Sequence, residues 1–317
     1  MVVTGPPAPL HDVSQGGHFI FKGDCVVEVK KWASFQEQAD KLAQRGCDIG
    51  DNNFCLEVLK RINYYRLTAY FLPFKINEED RYKAGTSIEA VYRIYDFDKK
   101  IRAVLFSALE DIEILFRAQI AYYHSEKYGA LGYLDKETFS KLHKPDKFTK
   151  NLNAEIDRNK KIPFVAHHIN KYNRKLPLWV AVDLFSFSTL SLFYSDLHIR
   201  DQKELAKIMY PGTPYNHDIL KSWLRCCTDL RNICAHHSRL YYRIFSATPK
   251  TPTGQHFRLG KKLFDMIYVV CSLHPDGEAW NNSFLRQIES LVWEYEPNLA
   301  HIGFPSDWAE KLKRLVH

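Results

Sequence analysis

The sequence predicts an all-α protein. Apolar residues recur at steps of three and four along most of the chain, which is the spacing of one face of an amphipathic helix. No run of any length alternates apolar and polar residues as a half-exposed strand does, and no internal repeat is visible. Hydrophobic residues make up 45% of the 317 residues, so the chain can bury a sizeable core.

The N-terminal part is predicted to hold a leader and a region of short helices. Residues 1–17 contain three prolines and three glycines with little periodicity, which predicts a flexible leader. In the region 18–85, Ser34 followed by Glu37 is the pattern of a capping box. It predicts a helix over residues 35–44.

A second helix, opened by Asp51 or Asn52, leads into an aromatic stretch over residues 61–74. Tyrosine and arginine are interleaved there, and such side chains can stack on bases and hold phosphates. Aromatic clusters also form ordinary cores, and the sequence leaves that alternative open. Tyr65 and Arg66 are therefore candidate RNA contacts.

Residues 86–317 are predicted to form a larger helical domain. It opens with a long helix that starts at Thr86 or Ser87, runs to Tyr128 and is ended by Gly129. Irregular structure with one short helix is expected over 131–150. Residues 151–172 are predicted to be helical in part with a break near Pro163, and residues 200–209 form a short charged stretch. Further helices are predicted from Pro177 onward, over 216–245, 259–273 and 283–294, and after a cap at Ser306.

Within the long helix, Glu113 and Arg117 stand four residues apart, and His124 follows on the same face. Two interpretations remain open. The pair is either a surface ion pair that contributes a few tenths of a kcal/mol, or part of a second polar cluster that faces the main site.

The positive charge of the chain is concentrated in one segment. Residues 141–175, here called the basic segment, hold ten lysines and arginines against three acidic residues, an excess that equals the net charge of +7 of the whole chain. A basic run is often only a solvated face, but it also suits a polyanion such as RNA. The candidate RNA contacts in the segment are Lys160, Lys161, Arg174 and Lys175.

Residues 230–240, here called the signature, read L-R-N-I-C-A-H-H-S-R-L. The range 216–245 contains neither proline nor glycine, which predicts one uninterrupted amphipathic helix. On that helix His236 falls on a polar stripe and His237 on the buried seam. The polar stripe is predicted to contain Arg225, Asp229, Asn232, His236, Arg239 and Arg243.

The signature resembles that of the bacterial abortive-infection family of the AbiD/AbiF type, which carries an Arg-x4–6-His motif like that of HEPN-domain ribonucleases. Three more stretches agree in the family order, namely R-I-N-Y-Y-R-L-T-A-Y-F-L-P-F at 61–74, L-P-L-W-V-A-V-D-L-F-S-F-S-T-L at 176–190 and I-G-F-P-S-D-W at 302–308. Two residues depart from the family pattern: Asp183 stands where glutamate is expected, and Ser188 where glycine is expected.

The resemblance implies a HEPN-like helical bundle with additional N- and C-terminal helices. It also implies a metal-independent endoribonuclease without a cofactor, which acts as the toxin of a phage-defence system. RNA would be the substrate, and a structured small RNA could restrain the enzyme. Because HEPN proteins usually pair two motifs, a homodimer with a composite site is expected.

The implied reaction is attack of a 2′-hydroxyl on the adjacent phosphate, which leaves a 2′,3′-cyclic phosphate. His236 would be the general acid or base, since imidazole titrates near neutral pH. Arg231 would stabilise charge on the phosphoryl oxygens, and Asn232 would orient the imidazole or bind the hydroxyl. His237 would support the site. Flanking phosphates would be held by Arg225, Arg239 and Arg243.

Other readings of these residues remain open. The arginine and histidine side chains could simply make interhelical hydrogen bonds, and the signature could hold phosphates without cleavage, as in an RNA-binding module. A protein scaffold that senses a phage component is a third alternative. A metal site is not predicted, because the nearby cysteines and histidines diverge on a helix.

The sequence also indicates where the protein acts. Seven cysteines without a C-x-x-C pattern argue against a disulfide framework, which favours a reducing cytoplasm. The N-terminus lacks the pattern of a signal peptide. The most apolar run, residues 176–197, contains Asp183 and Asp196, so it is predicted to be a buried helix and not a membrane span.

Overall fold

The computed structural model describes residues 18–20, 26–28, 30–76, 80–255 and 257–315. The predicted leader, residues 1–17, lies outside this range. The chain divides into two compact units, of which the first ends at Val91 and the second begins at Tyr92. The fold is all-α, as predicted, apart from one short strand pair.

The first unit contains the strand pair and three helices. The strands are antiparallel, with Phe19 opposite Val27. The elements are β1 (His18–Ile20), β2 (Val26–Glu28), α1 (Phe35–Gln44), α2 (Asn52–Arg61) and α3 (Tyr64–Thr68), and a 3-10 turn over Ala69–Phe74 follows.

The starts of α1 and α2 are those that the sequence predicts. The Ser34 hydroxyl accepts from the Glu37 N–H at 3.2 Å, and the Glu37 carboxylate accepts from the Ser34 N–H at 2.6 Å. The Asp51 carboxylate caps α2 by accepting from the Asn53 N–H at 2.9 Å. Each cap satisfies N–H groups that have no partner within the helix, so local chemistry is enough to set these boundaries.

The second unit contains most of the long helix and all the later ones. Its helices are α4 (Ile88–Tyr128), α5 (Pro145–Arg158), α6 (Pro163–Lys171), α7 (Leu178–Ala181), α8 (Phe187–Asp196), α9 (Ile199–Met209), α10 (His217–Ala235), α11 (Leu263–Leu273), α12 (Gly277–Ala279), α13 (Arg286–Tyr295), α14 (Leu299–Ile302) and α15 (Trp308–Lys313). Short 3-10 turns cover Gly132–Leu134, Lys136–Thr138 and Val182–Leu184, and a π-helical turn covers Trp280–Leu285.

The core of the second unit lies around α4 and α10. Ile101, Leu105 and Ile112 of α4 are fully buried in it. Gly129 ends the helix at a φ of +79°, a conformation that glycine adopts without strain. α10 packs against α8, α9 and α11. In the described part of the chain, no helix combines the length and apolarity needed to cross a membrane.

Some predicted boundaries are wrong. α5 begins at Pro145, inside the stretch predicted to be irregular, because proline suits the first position of a helix. α11 begins at Leu263 instead of 259, since the Asp265 carboxylate binds the N–H groups of Gly260 and Lys262 and turns the chain first. The last helix follows Asp307 instead of Ser306.

His124 is buried in the aromatic part of this core, and it provides a test of the packing. Its ring centroid lies 4.9 to 5.4 Å from those of Tyr128, Phe139 and Phe193, and neither ring nitrogen has a hydrogen-bond partner among the residues that the structure describes. Burial lowers the pKa of His124 from 6.5 to about 4. The folded state therefore binds fewer protons than the unfolded state between these two values.

We expect His124→Phe to remove an acid-sensitive part of the stability. In the wild type this part of the free energy of unfolding is fully present above pH 6.5 and is lost as the pH falls towards 4. When the pH is lowered from 7 to 5, the free energy of unfolding of the variant should therefore rise by about 2 kcal/mol relative to that of the wild type. Urea unfolding at both pH values measures the difference. The exposed His167→Phe is the control, and an equal pH response in all three proteins would contradict the prediction.

Candidate active site

The helix α10 carries the first half of the signature. The Asn216 side chain caps it by accepting from the N–H groups of Asp218 and Ile219, at 3.0 and 3.1 Å. Its predicted apolar seam is buried, with Trp223, Leu230 and Cys234 at 4% exposure or less. The seam fixes the rotation of α10, so its polar side chains face outward. Of these, Arg225 is exposed, and Arg231 and Asn232 are half-buried.

The helix ends at Ala235, so the prediction of one helix over 216–245 is wrong. The φ of His237 is +54°, and the N–H groups of His237 and Ser238 donate to the carbonyls of Cys234 and Ile233 at 3.0 and 2.9 Å. This is a Schellman motif, with histidine at the position that glycine usually occupies. The prediction that His237 lies on a buried seam is also wrong, because both histidines are exposed on the turn.

The turn is held by Asp98, a residue of α4. Its carboxylate accepts from the backbone N–H of Leu240 at 3.0 Å and from that of Tyr241 at 2.6 Å. Asp98 is fully buried and pairs with Arg102, whose guanidinium also donates to the Ser238 carbonyl at 3.4 Å. These N–H groups bind a distant carboxylate instead of the carbonyls one turn back, which explains why the helix stops without a proline or glycine.

The Asp98–Arg102 pair was missed at the sequence level. One signal was present, since two opposite charges four residues apart flank Ile101 on the apolar face of α4. A charged pair on a buried face is unusual and requires partners.

The turn makes a prediction about His237. Replacing it with glycine is expected to raise the free energy of unfolding by about 1 kcal/mol, because an L side chain at positive φ costs about that much. The matched control is His236→Gly, whose φ of −88° needs no glycine and which should lose stability. Urea unfolding measures both. A destabilised His237→Gly would mean that contacts of the imidazole outweigh the strain.

Arg231 is held by a carboxylate of α4. Its Nε lies 3.5 Å from Glu113 Oε2, and Arg117 Nη2 donates to Glu113 Oε1 at 2.6 Å. Glu113 is only 6% exposed, so this is not the surface ion pair of the first interpretation. We call Glu113, Arg117 and Arg231 the Glu113 cluster. It has two guanidinium groups on one carboxylate, which leaves a positive charge beside the signature.

His124 does not belong to this cluster, although the sequence placed it on the same face as Arg117. Its ring is fully buried among aromatic side chains. The Arg117 guanidinium instead donates a second hydrogen bond, to the Phe185 carbonyl at 2.8 Å. Arg117 is therefore fixed between α4 and the chain that leads into α8.

Asn232 and His236 are one helical turn apart. The carbonyl of Asn232 accepts from the N–H of His236 at 3.0 Å. Arg231 precedes Asn232, so the three predicted catalytic residues occupy the end of α10 and its cap. His236 is exposed, and the Arg231 side chain is 32% exposed.

Arg239 and Arg243 do not continue the predicted polar stripe, because both follow the turn. Arg239 Nη1 donates to the carbonyls of Tyr241 and Tyr242, at 2.6 and 3.3 Å. Arg243 Nη1 donates to the carbonyl of Arg239 at 3.4 Å. These contacts fix the loop after the signature.

The same region carries a family relationship. Residues 57–242 match the model of the Abi-like protein family, and this range is more than half of the chain. The chain belongs to the Abi-like protein family. Membership supports a role in abortive infection, a defence against phage. Among curated proteins and solved structures, none matches the chain.

The basic segment of this Abi-like protein lies on its surface. Lys160 and Lys161 are exposed in the turn between α5 and α6, and Lys175 is exposed after α6. Arg174 is exposed as well and pairs with Asp157 at 2.9 Å. The segment therefore presents cations that a polyanion can reach.

The two aromatic-stretch candidates lie in the first unit. Tyr65 is 62% exposed, and Arg66 is half-buried on the same short helix, α3.

The cysteines of α10 are held in the core. Burial raises the pKa of Cys226 and of Cys234 to about 12, so both thiols stay protonated at neutral pH. Across the described ranges, no group of three histidine, cysteine, aspartate or glutamate side chains is placed to hold a metal ion.

Proposed function

We propose that this Abi-like protein is a HEPN-type, metal-independent endoribonuclease of the AbiD/AbiF kind and the effector of an abortive-infection response. The observation that carries the proposal is the arrangement at the end of α10. Glu113 orients Arg231 at 3.5 Å, and an exposed histidine stands one turn further on. A fixed guanidinium and an accessible imidazole, five residues apart at the end of the helix, can supply charge stabilisation and proton transfer for a phosphodiester.

In the proposed reaction the 2′-hydroxyl of one nucleotide attacks its own 3′-phosphate. His236 accepts the hydroxyl proton while the new bond to phosphorus forms, and the bond from phosphorus to the 5′-oxygen of the next nucleotide breaks. That leaving oxygen takes a proton from a second acid. Arg231 binds the phosphoryl oxygens as their charge grows, and Asn232 orients the imidazole or the hydroxyl.

One copy supplies one such histidine, so we infer a homodimer in which the second acid comes from the partner copy. A groove of about 610 Å³ along α4 provides a surface for it. Its apolar side chains are unusually exposed, with Ile114 at 53%, Tyr122 at 71% and Trp179 at 55%. Arg117 lines the same groove, which places it next to the Glu113 cluster.

The groove is also complementary to itself. Besides Arg117 it contains the exposed carboxylates of Glu126 and Asp183, and neither forms an ion pair within the described residues. In a two-fold contact the arginine of each copy can meet a carboxylate of the other. A lysine at position 183 would remove this complementarity.

We expect Tyr122→Lys to convert the dimer to a monomer, because it places a charge in the apolar part of the groove. Sedimentation velocity measures the change, and cleavage should fall with the dimer fraction. The control is Trp293→Lys, an equally drastic change at a residue of α13 that is 82% exposed and outside the groove. A wild-type protein that sediments as a monomer would contradict the dimer proposal.

A toxin of this kind must be restrained until infection. The proposed partner is an RNA, as substrate and, in structured form, as inhibitor. The exposed cations of the basic segment support this assignment, with Lys160, Lys161 and Lys175 free of ion pairs in the described part of the chain.

The test is incubation of the purified protein with RNA in EDTA, followed by analysis of the product ends. The nuclease proposal requires cleavage that leaves 2′,3′-cyclic phosphates. RNA binding without cleavage would favour the alternative, a non-catalytic RNA-binding module of the defence system. A protein that does not bind RNA would favour a scaffold.

A further inference from the structure

A cavity of about 500 Å³ lies between α5 and α8, within the basic segment on one side. Its volume is in the range of about 300 to 1,000 Å³ that small-molecule sites occupy. None of the proposed catalytic residues lines it. The cavity is therefore a feature that the proposed reaction does not use.

The floor of the cavity is aromatic. Phe185 and Phe193 are almost fully buried beneath it, and Phe148 stands edge-on to Phe185 with ring centroids 5.7 Å apart. Phe148 is only half-buried, so part of its ring is open to the cavity. An open aromatic ring on an apolar floor is a surface on which a planar base stacks.

The rim of the cavity is basic. Lys144 and Lys147, at the start of α5, line it and form no ion pair with any residue that the structure describes. The two acidic residues of the lining are already engaged. Glu155 pairs with Arg158 at 2.6 Å, and Asp196 lies 3.0 Å from His143 Nδ1. The two lysines are thus free to bind a phosphate.

Polar groups of uncharged side chains complete the lining. Ser186 and Thr189 stand at the start of α8 with their hydroxyl oxygens 3.0 Å apart, and the exposed amide of Asn151 lies across from them on α5. Such groups can donate to and accept from the edge of a base.

We infer that this cavity binds one unpaired nucleotide of an RNA, with its base on Phe148 and its phosphate on Lys144 and Lys147. The inference rests on the proposed function for the identity of the ligand as RNA, but it does not require cleavage. A base can enter only when it is outside a duplex, so the site selects single-stranded or bulged RNA. The cavity and the Glu113 cluster meet at Phe185, whose carbonyl binds Arg117.

The test is a binding assay in a His236→Ala background with EDTA, so that cleavage does not enter the result. Fluorescence anisotropy compares a short labelled single strand with a blunt duplex of the same sequence. Phe148→Leu, which keeps an apolar side chain but removes the ring, is expected to weaken binding of the single strand about tenfold. Binding of the duplex should not change.

A second variant does not touch the core. Ala154 is exposed on α5 and lines the cavity, so Ala154→Trp fills the space from outside and should cause the same loss. Lys144→Gln combined with Lys147→Gln should lower the salt dependence of single-strand binding by about 0.7 in log–log slope, because the two lysines bind one phosphate. The matched control is Lys203→Gln combined with Lys207→Gln, two exposed lysines of α9 that lie outside the basic segment and the cavity, and it should leave the strand preference and the salt dependence unchanged.

Two results would overturn the inference. One is unchanged single-strand binding in both Phe148→Leu and Ala154→Trp, with their thermal unfolding intact. The other is binding of adenosine monophosphate that depends on Phe148 while RNA binding does not, which would make the cavity a site for free nucleotides. If the wild-type protein does not cleave RNA, the nuclease proposal is refuted, but the proposal of a nucleotide site in this cavity is not.

Discussion

Replacing His236 with alanine is expected to lower the rate of RNA cleavage about a thousandfold, the usual contribution of a general acid or base. The side chain is exposed at the cap of α10, where its backbone N–H already has a partner in Asn232. Its removal therefore leaves the fold intact and takes away only the imidazole. Cleavage under single-turnover conditions, with product ends identified, measures the effect.

Arg231→Ala should cause a loss of similar size through a different role, the stabilisation of phosphoryl charge. Arg231→Lys keeps the charge but cannot contact Glu113 and a phosphate with a planar fork, so it should recover only part of the activity. The control is His217→Ala, at the opposite end of α10. If His236→Ala cleaves RNA at the wild-type rate, the assignment of the site is wrong and the signature has a structural role.

The largest effect on stability is expected for Asp98→Ala, a loss of about 3 to 5 kcal/mol in the free energy of unfolding. The variant leaves Arg102 buried without its counter-charge and the N–H groups of Leu240 and Tyr241 without an acceptor. Urea unfolding measures the loss. The turn that carries His236 should become disordered as well, so any nuclease activity should disappear.

The control for this variant is an ion pair at the surface. Asp157→Asn removes the partner of Arg174, and the two side chains are 62% and 41% exposed. It should change the free energy of unfolding by less than about 0.5 kcal/mol. Equal small effects of both substitutions would show that the buried pair does not hold the turn.

Three helix boundaries of this protein could be predicted because their causes are local. Ser34, Asp51 and Gly129 each act through groups within a few residues, so spacing alone identifies them. The all-α class follows from the same periodicity.

The end of α10 could not be predicted because its cause is distant. Local propensity allows the helix to continue to Phe245, but Asp98, 142 residues before Leu240, takes the backbone N–H groups that a longer helix would use. The proximity of Glu113 to Arg231 also depends on tertiary packing. The sequence suggested a cluster facing the signature as one of two alternatives, and only the packing of α4 on α10 decides between them.

Both anchors of the signature belong to one continuous helix. Asp98 and Glu113 are separated by about 22 Å along α4, at 1.5 Å per residue. An α-helix does not stretch, so α4 fixes the distance between the Arg231 guanidinium and the turn that carries His236 and His237. The contacts made by Asp98 and by Glu113 should therefore be lost together on heating. The site should have no melting transition of its own, and heat should inactivate it at the temperature where the whole second unit unfolds.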